Sequence, residues 1–164
     1  MDRVAEAGAG GPLTSMARGA RACVFCEIAR GAAGAEIVLE DETAVAFLDH
    51  RPLLPGHCLL IPKVHVKTLP DLPEDLLAPY FRDVQILERA VERGLGAAGS
   101  FVAVNTKISQ SVPHLHVHVV PRWKGDGLFS PKLVWKRSPY KDDAARRTVG
   151  EKLRQAVEEI RRLR

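Results

Sequence analysis

The sequence predicts a single α+β domain, and three observations carry that expectation. Short segments of alternating polar and apolar residues lie before residue 63 and again after residue 100. A long helical stretch separates them, and a second helical period closes the chain. Strands, a long helix and then more strands follow the order of an α+β fold and lack the regular βα alternation of a parallel sheet.

Each element has its own local reason. Glu36 to Glu40 and Thr43 to Asp49 form two strand candidates around a turn at Asp41-Glu42, and His57 to Pro62 forms a third. Cys58 in that strand reads as core. Asp71-Leu72-Pro73-Glu74 has the pattern of a capping box, predicting a helix to about Leu95 with Gly94 and Gly96 near its end. Pro79 inside that stretch is expected to kink the helix or delay its start. Phe101 to Asn105 is the fourth strand candidate and Pro113 to Arg122 the fifth, where Pro121 should limit pairing as a central strand. Val149, Leu153, Ala156, Ile160 and Leu163 recur at helical spacing, so residues 141–164 predict an amphipathic helix with its arginines on a solvated face.

Composition narrows the class. The 164 residues suffice for one domain with its own core, and no repeat or second domain is visible. A net charge of +4 is compatible with phosphate-bearing ligands. Because the basic residues are dispersed and aromatics make up only 5%, nucleic-acid binding is not expected. The chain has no apolar run of membrane-spanning length, so no membrane partner is expected either. Residues 1–21 are rich in Gly and Ala and lack the apolar stretch of a secretory signal, which predicts a flexible tail. With three cysteines and no such signal, a cytoplasmic location is expected.

The fifth strand candidate holds the decisive pattern, Pro113-His114-Leu115-His116-Val117-His118-Val119-Val120-Pro121-Arg122. Successive strand side chains point to opposite faces, so His114, His116 and His118 share one face while Leu115, Val117 and Val119 pack inward. A solvated strand face is the plain explanation for one histidine but a poor one for three in register. A single metal held by all three is disfavoured by geometry. Residues i and i+4 of a strand lie about 13 Å apart, whereas zinc holds each ligand nitrogen at about 2 Å. A middle imidazole acting as nucleophile, with neighbours that orient it and move protons, fits the chemistry of a group titrating near neutral pH.

This run resembles the signature of the histidine triad (HIT) family: His, apolar, His, apolar, His, apolar, apolar. Ser109-Gln110-Ser111-Val112 resembles the segment that precedes the family motif, with serine where glycine is common. Ala46-Phe47-Leu48-Asp49 and Gly56-His57-Cys58-Leu59-Leu60-Ile61-Pro62-Lys63-Val64-His65 resemble the family's upstream strands. The likeness spans about residues 22–140, which it marks as a HIT domain followed by the C-terminal helix. It implies a five-stranded antiparallel sheet and a homodimer formed through the long helix and an adjoining strand. The helix residues Leu76, Leu77, Phe81, Val84, Leu87 and Val91 offer more apolar surface than one small sheet need cover.

The resemblance also implies chemistry. His116 would attack the α-phosphorus of a purine nucleotide, forming a nucleotidyl-histidine intermediate that water cleaves. His118 would bond the phosphate or protonate the leaving group. Asn105, Gln110 and Ser111 match positions that hold phosphate oxygens, Asp49 the carboxylate that receives the ribose hydroxyls, and Phe25, Ile28 and Phe47 the apolar walls around the base. Read alone, Cys23-Val24-Phe25-Cys26 is half of a zinc site or a redox pair. The βαβ context of a thioredoxin-like motif is missing. Some bacterial HIT proteins complete a zinc site with residues corresponding to His65 and His114, which implies a structural zinc on Cys23, Cys26, His65 and His114. His50 and His57 receive no catalytic role.

The expected function is hydrolysis of an adenosine phosphoramidate or a dinucleoside polyphosphate. A phosphorylase or nucleotidyl transferase is the enzyme alternative. Members of that kind often carry glutamine in place of the third histidine, and His118 speaks against it, although Arg122-Trp123-Lys124-Gly125-Asp126 resembles some polyphosphate-cleaving branches. The DNA-adenylate hydrolases of the wider family add a zinc finger beyond the triad, and this chain has no cysteine after Cys58. A non-catalytic nucleotide-binding protein is the third reading, separated from an enzyme by turnover.

Overall fold

The computed structural model describes residues 23–129 and 137–163, so the expected tail at 1–21 lies outside the described residues. A short helix α1 (Val24–Ala29) leads into β1 (Ile37–Glu40), β2 (Ala44–Leu48) and β3 (Cys58–Pro62). A 3-10 turn (Leu69–Asp71) precedes the long helix α2 (Glu74–Leu95), followed by β4 (Gly99–Val104), β5 (Val117–Arg122) and the C-terminal helix α3 (Asp143–Arg162). The five strands form one antiparallel sheet in the order β1-β2-β3-β5-β4. The fold is α+β, as the order of sequence patterns predicts.

Strand alternation sorts the side chains onto two faces. Ala44, Ala46, Leu48, Cys58, Leu60, Val117 and Val119 pack beneath α2 and α3, against Tyr80, Val84, Leu87, Val91, Leu153 and Val157. Val45, Phe47, Leu59 and Ile61 point the other way and meet Cys23, Phe25 and Cys26 of the α1 region. One face thus carries the helical layer. The other is only partly covered and is free to form a site.

Several local expectations are corrected. Asp71 closes its capping box on Thr68, bonding its backbone N–H (3.0 Å) and hydroxyl (2.6 Å), so the box belongs to the 3-10 turn. Helix α2 starts at Glu74 behind Pro73, and Pro79 does not delay it. The carbonyl that Pro79 leaves without its i+4 donor is that of exposed Asp75, in the first turn, where water can serve it. Pro121 sits within a central strand, paired with Ser100. It is tolerated because β3 reaches only as far as Val119, leaving no ladder partner on that side to need its missing N–H.

The arginines of α3 do more than face solvent. Arg154 donates to Glu36 Oε1 (2.5 Å) and to the Ile37 carbonyl (2.8 Å), and Arg161 donates to the Glu40 carbonyl (3.1 Å). Gly150 makes the first contact possible, since a Cβ there would lie 2.7 Å from Glu36 Cγ. No helix among the described residues is long and apolar enough to cross a membrane.

Candidate active site and metal cluster

The ladder of β5 begins only at Val117, so the first two histidines of the motif lie ahead of it. His114 N–H bonds the Val112 carbonyl (2.8 Å) in a tight turn around Pro113, and Leu115 N–H bonds the Val66 carbonyl (2.7 Å). The alternation of faces nevertheless persists through the turn. Leu115 joins the core beneath the helices, while His114 and His116 point to the opposite side. Those two imidazoles are buried, at 0% and 3% exposure, so neither belongs to a solvated strand face.

Hydrogen bonds fix the proton on each ring. His116 Nδ1 lies 2.7 Å from the His114 carbonyl. Only Nδ1–H can make that bond, so Nε2 keeps its lone pair as a nucleophile or metal ligand would. The Leu53 N–H donates to His57 Nδ1 (3.2 Å), which places the His57 proton on Nε2, 3.0 Å from His118 Nδ1. His118 therefore accepts at Nδ1 and carries its proton on Nε2. Asn105 Nδ2, 3.4 Å away, is also a donor and makes no hydrogen bond to it in this tautomer, so both groups stay available to a ligand. Burial pushes His57 and His118 down from the usual imidazole value to about 4. Asp49, 3.5 Å from His57 Nδ1, opposes the shift on His57.

A cavity of about 810 Å³ opens over these rings. Phe25, Ile28 and Phe47 form an apolar wall, Asp49 stands at its edge, and Asn105, Ser111, His116 and His118 supply polar groups. Seven of the eight residues expected to contact substrate therefore share one space, together with the expected nucleophile. Gln110 is the exception. Its carboxamide is held by backbone, donating to the Lys67 carbonyl (2.6 Å) and accepting from Lys107 N–H (3.0 Å), so it braces the loop that ends in Ser111. Lys107 and Ser109 in that loop adopt left-handed φ values of 66° and 59°. Serine thus takes the conformation that the glycine common at this place adopts freely.

Beneath the cavity the four expected metal ligands converge. The ligand atoms of Cys23, Cys26, His65 and His114 all lie within 4.8 Å of one another. His114 Nε2 donates to the Pro62 carbonyl (2.9 Å), so its Nδ1 lone pair faces the thiols, 3.5 Å from both Cys23 and Cys26 Sγ. His65 Nδ1 lies 3.1 Å from Cys26 Sγ. Two sulfurs and two nitrogens at these separations fit a closed tetrahedral site, and the His114–Pro62 bond orients that ring from behind.

The sequence reading missed His57, which is 2% exposed and bonded to His118. Its signal was present. With Leu59 and Ile61 on the site face, alternation puts His57 on that face too, and Leu59 pairs directly with His118. Arg51, Arg137 and Arg146, also on the cavity wall, left no comparable pattern.

The profile of the HIT domain matches residues 30–125. The chain belongs to the HIT family. A zinc-bound histidine triad family protein from Mycobacterium smegmatis superposes on this HIT protein with a TM-score of 0.75 and 36% identity, covering 88% of this chain and 99% of that one. An adenylylsulfatase of Arabidopsis thaliana is 32% identical over 129 residues, 77% of this chain and 66% of its own length. An asymmetrical bis(5'-nucleosyl)-tetraphosphatase of Schizosaccharomyces pombe is 34% identical over 95 residues, 57% of this chain and 52% of its own. HIT relatives of this chain thus include an adenylylsulfatase and a bis(5'-nucleosyl)-tetraphosphatase.

Proposed function

We propose that this HIT protein is a nucleotide hydrolase acting at the α-phosphate of an adenosine phosphoramidate or a dinucleoside polyphosphate, through a nucleotidyl intermediate on His116. The observation that carries the reading is the 2.7 Å contact between His116 Nδ1 and the His114 carbonyl, from which the tautomer of His116 follows. Its Nδ1–H is committed to the His114 carbonyl, which leaves Nε2 with a lone pair in the neutral ring, and that ring lies 4.9 Å from the His118 ring, centroid to centroid, in one cavity.

In the first step His116 Nε2 bonds the α-phosphorus while the bond from phosphorus to the leaving atom breaks. When the anionic substrate binds, the pair takes up one proton, on His57 Nδ1 beside Asp49 Oδ2 (3.5 Å). The leaving atom then takes the proton from His118 Nε2, His57 passes its Nε2 proton to His118 Nδ1, and both rings end neutral. The substituted His116 ring still holds Nδ1–H and is cationic, and the His114 carbonyl accepts from it. In the second step water attacks phosphorus, the nitrogen–phosphorus bond breaks, and the proton of water restores the His57–His118 pair. The product is AMP and His116 is regenerated. Asn105 and Ser111 donate to the phosphate oxygens, Asp49 receives the ribose hydroxyls, and Phe25, Ile28 and Phe47 enclose the purine.

Zinc is the metal assigned to Cys23, Cys26, His65 and His114, in a structural role. The donor set and the bound zinc of the Mycobacterium smegmatis relative support it. When bound, the ion would tie α1 to the sheet and anchor the start of the histidine segment. A homodimer is supported by Leu77 and Phe81, exposed on α2, and by β4 at the sheet edge. The three free cysteines fit a reducing cytoplasm.

The test is chemical. Wild-type protein quenched with adenylate-labelled substrate should carry label on His116. His116→Gly should lower kcat by about 10⁴-fold or more. Label on His114 or His118 instead would refute the assignment.

A further inference from the structure

We infer that Arg137 is a specificity-determining residue that binds an anionic leaving group, so that the site favours dinucleoside polyphosphates over phosphoramidates. The inference rests on the hydrolase reading above and deepens it.

Arg137 belongs to a strap laid along the turn between β2 and β3. Its guanidinium donates to the Arg51 carbonyl, Ser138 N–H donates to the Pro52 carbonyl (3.0 Å), and Gly56 N–H donates to the Tyr140 hydroxyl (3.0 Å). Three anchors from three successive parts of the turn hold this segment beside the cavity, whose wall includes Arg137. One of five guanidinium N–H donors goes to the Arg51 carbonyl, and the group keeps further donors for a ligand.

The charge sits on the proton-handling side. Its field contributes to lowering both His118 and His57, so it lies within electrostatic reach of the pair that would protonate the leaving atom. The cavity also continues past His118 along β4, to Ala103 and Phe101, leaving room beyond the scissile bond. Of the two acidic residues on the wall, Asp49 opposes the field of Arg137 at both histidines, and neither is ion-paired with Arg137. Glu36 is paired with Arg154, and Asp49 accepts from Arg51 N–H (2.8 Å). A polyphosphate leaving group gains charge-assisted bonds from Arg137, whereas an amine gains none and is repelled. A bound polyanion would also oppose the burial that keeps His57 and His118 from taking protons.

The experiment compares kcat/KM for diadenosine tetraphosphate and for adenosine 5'-phosphoramidate, in wild type, Arg137→Ala, Arg137→Lys and Arg147→Ala. Arg147 is exposed and outside the cavity wall, so its loss controls for net charge. Arg137→Ala should lower the tetraphosphate-to-phosphoramidate ratio by about tenfold to a hundredfold. Lysine should recover part of that loss, and Arg147→Ala should leave the ratio unchanged. A ratio within threefold of wild type in Arg137→Ala, or equal losses on both substrates, overturns the inference while leaving the hydrolase reading intact. A wild-type protein that turns over neither substrate overturns both.

Discussion

Replacing His57 by alanine tests the proton pair directly. The side chain is 2% exposed and makes two hydrogen bonds, one from the Leu53 N–H and one to His118 Nδ1. Losing them costs about 1 kcal/mol each, and the space left by the ring adds a cavity cost, so unfolding stability should fall by about 2–4 kcal/mol. The kinetic loss is bounded by what His118 supplies. General acid catalysis contributes about 10²- to 10⁴-fold. Because His118 stays in place, His57→Ala should lower kcat by only about tenfold to a hundredfold. In the double variant with His118→Ala, nothing remains for His57 to act on. Its kcat should match that of His118→Ala alone, the non-additivity expected of residues that act as a unit. Stopped-assay kinetics of the two single variants and the double variant measure this cycle. Losses that multiply would refute the coupling.

The same pair sets an acid limit. In the unfolded chain these imidazoles take protons near pH 6.5; in the folded state burial delays this to about pH 4. The unfolded state therefore binds more protons between those values, and stability falls as pH drops from about 6.5 toward 4. Each group contributes up to about 1.4 kcal/mol per pH unit within that window. His57→Ala should accordingly show a smaller drop in melting temperature between pH 7 and pH 5 than wild type.

Two further outcomes follow from the packing. Cys23→Ala should release the metal and lower the melting temperature by about 5 °C or more. Elemental analysis of untagged wild-type protein showing well under one zinc per chain would defeat that expectation. Gly94→Ala should destabilise by about 1–2 kcal/mol in chemical denaturation, because its Cβ would lie 2.7 Å from the Lys152 carbonyl oxygen where α2 crosses α3. The obstacle is backbone, so overpacking outweighs the gain of about 1 kcal/mol in helix propensity. A more stable Gly94→Ala protein would mean the crossing is looser than described.

Much of the fold was legible because period-2 patterning survives in single segments. Val45, Phe47, Leu59 and Ile61 against Ala44, Ala46, Cys58 and Leu60 give both faces of the sheet without knowledge of pairing. The metal cluster and the cavity residues were reached through resemblance, not local pattern. Cys23 and His114 are 91 residues apart, and no local rule joins them. His57 was passed over because its partner His118 lies 61 residues away and only strand pairing brings them together. Gln110 matches a phosphate-binding position in sequence, and sequence cannot show that its carboxamide is already spent on the Lys67 carbonyl. Amphipathic patterning alone assigns Arg154 and Arg161 to solvent, whereas the fold sets them along the side of α3 that reaches β1.

That last contact gives the sheet a direction. The Glu36 carbonyl faces inward to Leu48 N–H, so Ile37 and Glu40 turn their carbonyls outward, where guanidinium groups occupy them. A foreign strand arriving at β1 finds acceptors already taken and a helix in its path, a built-in guard against edge-to-edge growth. The border strand at the far end is β4, where Phe129 packs its ring on Phe101. At β1, extension of the sheet by strand pairing is therefore closed, as with a zip fastener stitched shut at one end.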